Sequence, residues 1–99
     1  MTFIRGEFTR YMRDKSNPTQ RGYIGGPFGI HRHQYSNTWS ITHLATGRFI
    51  TDGPTTLKNA KQVAQAIESL ADWTLSNPLA RLTESERNHI RQTIKDTIK

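Results

Sequence analysis

The sharpest pattern in the chain is a helical stripe. Leu57, Ala60, Val63, Ala64, Ile67, Leu70 and Ala71 recur three and four residues apart, the spacing that puts apolar side chains on one face of a helix. The stripe predicts a long amphipathic helix from about Thr56 to Ala71, with Thr55 or Thr56 supplying the N-cap oxygen. Upstream the period drops to two. Phe28 to Gln34, Trp39 to Ala45 and Arg48 to Asp52 alternate as strands do, with turns expected at Ser36-Asn37 and Thr46-Gly47. A turn at Ser36-Asn37 would set His33 against Ser40, His31 against Thr42 and Ile30 against His43. Alternation then sorts Phe28, Ile30, Trp39, Ile41 and Ile50 onto a face to be buried. His31, His33, Ser40 and Thr42 fall on the other, polar and open, and His43 sits opposite His31 and His33.

Asn77-Pro78 breaks the chain after the first helix, and Thr83-Glu84-Ser85-Glu86 reads as a capping box opening a second. Ile90, Ile94 and Ile98 make a narrow apolar row on that helix. It either docks lightly on the domain or is offered to a partner. Before residue 28 the pattern fades. Phe3, Ile4, Phe8, Tyr11 and Met12 are mixed with arginines at no clear period, and the glycines and prolines between Asp14 and Gly29 read as a loop. Arg21-Gly22-Tyr23 opens like the RNA-recognition-motif signature of basic residue, glycine and aromatic. The match stops at Ile24, where glycine or alanine belongs, and a loop is the preferred reading.

The predicted architecture is therefore α+β: a three-stranded antiparallel sheet packed on one long amphipathic helix, plus a C-terminal helix. Residues 1–27 form a basic arm and Gly/Pro loop, 28–75 the sheet–helix core, and 76–99 a linker and the last helix, one domain in all. Hydrophobic residues make up 33 % and glycine 7 of 99 positions, under the roughly 45–50 % apolar share of globular chains, so the core is expected to be thin. No apolar run is long enough to span a bilayer, and the charged start does not resemble a secretion signal. A cytoplasmic protein is expected, in the host cytoplasm if a phage encodes it.

Charge narrows the choice of partners. The net charge is +6, and residues 1–33 hold six Arg/Lys against two acids while 34–99 hold eight against six. A basic arm on a nearly balanced body favours polyanions. Chemistry is scarce. There are no cysteines and no nucleophile elbow, and Glu68 with Asp72 lies on the outward side of the helix. His31, His33 and His43 could suggest a metal, but strand parity separates His43 from the other two and no acid nearby would orient the rings. No cofactor, metal or small-molecule substrate is expected.

Two basic features remain. Lys58 and Lys61 sit at the start of the first helix and Glu68 and Asp72 at its end, against the helix dipole, an order that would suit a phosphate at the helix N-terminus with Arg48 alongside. On the second helix, Arg87, Arg91, Lys95 and Lys99 form a basic flank beside the isoleucine row.

The Trp-led strand, the Thr-Gly-Arg turn and the following helix opening Thr-x-x-x-Ala resemble, over residues 28–72, the small DNA-binding units of the AP2 and arm-type integrase class. That resemblance implies a three-stranded sheet on one helix, its open face laid in the major groove. The contacts would fall on His31, His33, Ser40 and Thr42, with Arg48 beside them; most such units carry arginine and aromatic readers there.

The leading expectation is a non-enzymatic basic module that binds nucleic acid through Arg5, Arg10, Arg13, Lys15, His31, His33, Arg48, Lys58 and Lys61. The alternative is a phage-type inhibitor or adaptor docking on a host nucleic-acid-processing complex, such as a nuclease or a CRISPR-like defence. It would use Arg87, Ile90, Arg91, Ile94, Lys95 and Ile98 against an acidic surface, with no membrane partner in either case.

Overall fold

A computed structural model describes residues 2–9, 19–33, 37–51 and 53–98. Five strands form one antiparallel sheet in the order of the sequence: β1 (Ile4–Thr9), β2 (Thr19–Gly25), β3 (Phe28–Arg32), β4 (Trp39–His43) and β5 (Arg48–Thr51). Two helices follow, α1 (Leu57–Glu68) and α2 (Glu84–Ile98), with a short 3-10 turn at Pro78–Arg81 between them. The class is α+β as expected, but the expected three-stranded sheet on one long helix is overturned. The sheet has five strands and the first helix only 12 residues.

The two extra strands come from the stretch read as arm and loop. Their alternation is masked by glycine, which removes a side chain wherever a neighbour needs its space. At Gly29 an added Cβ would meet the Phe8 ring at 2.8 Å, so β1 can fold its phenylalanine over β3 only because Gly29 has no side chain. Gly26-Pro27 is a two-residue hairpin turn between paired Gly25 and Phe28. Gly26 takes a positive φ of 53° and proline holds φ near −65°, the combination that suits the twist of flanking strands.

In β3 and β4 the faces are as expected but the register differs. His31 pairs with Ser40, Ile30 with Ile41 and Phe28 with His43, two residues away from the expected pairing. The ladder closes at Arg32–Trp39, where the His33 N–H donates to the Thr38 carbonyl (2.8 Å) and the Trp39 N–H to the Pro54 carbonyl (2.7 Å). The connection from Arg32 to Trp39 is thus longer than a two-residue turn, and Ser36 of the expected turn lies outside the described residues. A slip of two leaves every side chain on its own face. Between β4 and β5 the link is also longer than two residues, since His43 pairs with Arg48 and a bulge follows Ile41.

Phe28, Ile30 and Ile41 of the sheet meet Ala60, Val63, Ala64 and Ile67 of α1, and Trp73 and Ile90 complete the core. Trp73 sits at the C-terminal end of α1. Its indole N–H donates to the Ile67 carbonyl (3.1 Å) and the Glu68 carbonyl (3.0 Å), satisfying groups that a helix end leaves orphaned. The helix ends at Glu68, short of the expected Ala71. At its other end Thr56 Oγ1 accepts from the Asn59 N–H. The predicted capping box of α2 is present: Thr83 Oγ1 accepts from the Glu86 N–H, and the Glu86 carboxylate accepts from the Thr83 N–H. The isoleucine row docks inward. Ile90 is buried and Ile94 and Ile98 pack against the core, deeper than so narrow a row suggests. Among the described residues no helix is long and apolar enough to cross a membrane.

Candidate nucleic-acid interface

The side of the sheet that faces α1 is only partly covered by it. The helix contacts β3 and β4, and among the described residues the end formed by β1, β2 and the Arg32–Trp39 end of β3–β4 stays open. Strand pairing brings charged and aromatic residues together there. Arg5 lies opposite Tyr23 and Glu7 opposite Arg21 on β1–β2, while Arg32 faces Trp39 on β3–β4. Tyr23 in turn pairs with Ile30, so all six share the core-facing side. They line a cleft of about 490 Å³, within the roughly 300–1,000 Å³ of ligand sites.

Two cations at this cleft lie over rings. The Arg5 guanidinium lies 5.9 Å from the centre of the Tyr23 ring. Lys61 extends from α1 to place its ammonium 4.9 Å from the same ring and 5.8 Å from that of Phe3, the arrangement of cation–π attraction. Tyr23 and Trp39 are half-buried, their centres 6.5 Å apart and their planes tilted by 52°. Among the described residues one acid lines the cleft: Arg21 Nε donates to Glu7 Oε1 at 3.2 Å. Arg32 reaches the Asn37 side-chain oxygen at 3.4 Å.

Of the residues expected to bind nucleic acid, Arg5 lines this cleft and Lys61 lies over the Tyr23 ring at its border without lining it. Arg10, Arg13 and Lys15 lie outside the described residues. Lys58 is exposed in the first turn of α1 and does not line the cleft, and Arg48 sits on β5, across the sheet from β2. Among the described residues, lysine and arginine are thus not gathered around the α1 N-terminus.

The polar face expected to be open is closed. His31 is 3 % exposed and Ser40 and Thr42 are 0 % exposed. The Phe8 ring stands edge-on to His31 at 5.8 Å, brought there by the strand that the sequence did not reveal. His33 is half-buried. Major-groove contacts of the kind the resemblance implies have no exposed His31, Ser40 or Thr42 to use. The Ser40 and Thr42 hydroxyls are buried without a hydrogen-bond partner among the described residues.

His43 is a structural residue. Its Nε2 lies 2.6 Å from the Trp73 carbonyl oxygen, so Nε2 donates, and Nδ1 is 3.0 Å from Thr46 Oγ1, which in turn accepts from the Arg48 N–H. Both ring nitrogens are thereby satisfied in the neutral form. No cluster of metal-ligating side chains occurs among the described residues.

On the second helix Arg91 and Lys95 are exposed and Arg87 half-buried. Arg87 reaches the Leu79 carbonyl and Arg91 the Asn88 side chain. A second, smaller cleft of about 240 Å³ lies by β5 and the 3-10 turn, where Arg48, Phe49 and Leu79 meet Trp73. Among the described residues two carboxylates titrate low, neither lining the first cleft. Asp72 is lowered by the Thr74 hydroxyl and N–H, and Glu86 by the Thr83 N–H and hydroxyl.

Sequence reasoning missed Arg21, Tyr23, Arg32, Trp39 and Glu7 as a group. The available signal was Arg21-x-Tyr23, whose two-residue spacing puts a cation and a ring on one face of a strand. No protein-family model, curated protein or solved structure matches the chain.

Proposed function

We propose that the protein is a non-enzymatic module that binds single-stranded nucleic acid in the cleft between β1–β2 and the β3–β4 mouth. The observation that carries this reading is the pairing of two half-buried rings, Tyr23 and Trp39, with Arg5, Arg21 and Arg32 around them. Unpaired bases stack on such rings, and arginines follow the phosphates. A duplex keeps its base faces covered, so the rings favour a single strand. Lys61, already held at the Tyr23 ring, adds a fourth cation.

Titration of fluorescently labelled single strands tests the reading. Affinity should fall with salt at about −0.7 in log–log slope per phosphate neutralised, a total of roughly −2 to −3 for four cations of which one is paired. Tyr23→Ala and Trp39→Ala should each weaken binding at least about fivefold, as loss of a stacked base does. Absence of binding to any single strand at low salt would overturn it.

A second reading is docking on an acidic surface of a nucleic-acid-processing complex. The isoleucine row itself packs on the core. What favours the docking reading is Phe49, 49 % exposed, near Leu79 at 37 %, with Arg48 lining the same cleft. Phe49→Asp would abolish partner capture on this reading and leave single-strand binding intact on the first.

A further inference from the structure

A carboxylate is out of place in a surface built for phosphate, yet Glu7 lines the cleft with three arginines. Its side chain is 57 % exposed and that of Arg21 89 %, and exposed ion pairs contribute little to stability. Folding alone gives weak reason for an acid at this point. The Arg21 contact at 3.2 Å engages one carboxylate oxygen, Oε1, through Nε, and the group lines the same cleft as the Tyr23 and Trp39 rings.

Resting on the single-strand reading of the cleft, we infer that Glu7 reads the edge of the stacked base and selects guanine. Carboxylates in nucleic-acid sites accept hydrogen bonds from base N–H groups, and unpaired bases expose their Watson–Crick edges for this purpose. Guanine presents N1–H and the N2 amino group side by side, pointing the same way. That pair matches the two oxygens of a carboxylate much as a guanidinium does. Cytosine and adenine each offer one amino group beside a ring-nitrogen lone pair that repels the carboxylate. Uracil offers one N–H between two carbonyls that do the same. Arg21 acts here as a positioning residue, holding the acid in place and offsetting its repulsion of phosphate.

The test compares short uridine strands that are unmodified or carry a central guanosine or inosine, measured by fluorescence anisotropy. Inosine keeps N1–H and lacks the N2 amino group. The protein should prefer the guanosine strand by at least about fivefold, with inosine between the other two. Glu7→Gln should hold or raise affinity for the plain uridine strand while shrinking the guanosine preference, and Glu7→Ala should abolish it. A wild-type protein that binds all three strands equally, or a preference that survives Glu7→Ala, overturns the role of Glu7 and leaves the single-strand reading standing. Failure to bind any strand overturns both.

Discussion

One side of the sheet carries two aromatic assemblies with opposite fates. At the β3–β4 end, Trp73 closes over Phe28 at 4.9 Å and His43 at 5.7 Å, and every polar atom of its indole and carbonyl is engaged. At the β1–β2 end, Tyr23 and Trp39 are also neighbours, but they are half-buried and their company is cationic. The first assembly is complete in itself. The second keeps part of its aromatic surface exposed, with cations over one of its rings. A buried tryptophan with its N–H satisfied reads as architecture, whereas a half-exposed one among arginines reads as a place for something else.

Substitutions can sharpen that contrast. The largest effect is expected for Trp73→Ala, which empties the core and uncaps α1. Denaturant unfolding should show a loss of about 3–5 kcal/mol, while Trp39→Ala should cost far less. Equal losses would erase the distinction between the two ends. His43→Ala comes next. It strands the buried Trp73 carbonyl, and a loss of about 1–3 kcal/mol is expected, with His43→Gln recovering part of it if the Nε2 contact is what matters.

Lys61→Met should leave thermal stability nearly unchanged and lower single-strand affinity, reducing the salt slope by about 0.7. A large drop in melting temperature with unchanged affinity would move Lys61 to the structural side of the comparison. The smallest effect belongs to neither end and serves as a reference. The carboxylate of Glu86 is held below the usual glutamate range by the Thr83 N–H and hydroxyl. Its contribution is present above the unfolded-state pKa and lost as pH falls through the lower folded value. Acid titration should fray α2 slightly in the wild type, and Glu86→Gln should remove that pH dependence.

Much of the second half of the fold was legible. The α1 stripe, the Thr83–Glu86 capping box and the face assignment of β3 and β4 follow directly from spacing. The N-terminal strands were not, for a physical reason. Alternation is recognised by side chains, and Gly6, Gly22 and Gly25 stand in β1 and β2 at positions where strand residues would otherwise declare themselves. The error propagated. Without β1 there was no Phe8 to cover His31, so a closed face was read as open and the histidines were taken for contacts. The cleft was hidden for the same reason, since Arg5, Glu7, Arg21 and Tyr23 meet only when β1 and β2 pair. The Trp73 indole at the end of α1 was equally invisible, because it acts across a turn that no helical period describes.

β1 is also an outermost strand, with Ile4 63 % exposed upon it. An unpaired strand margin invites a second chain to add itself by backbone hydrogen bonding, and charged side chains along it are a common deterrent. Arg5 and Glu7 stand on that margin, so the charges placed in the proposed site are also of the kind that deters edge pairing. Stripping both at once would trade a question about ligands for one about self-association, and light scattering ought to accompany any such double variant.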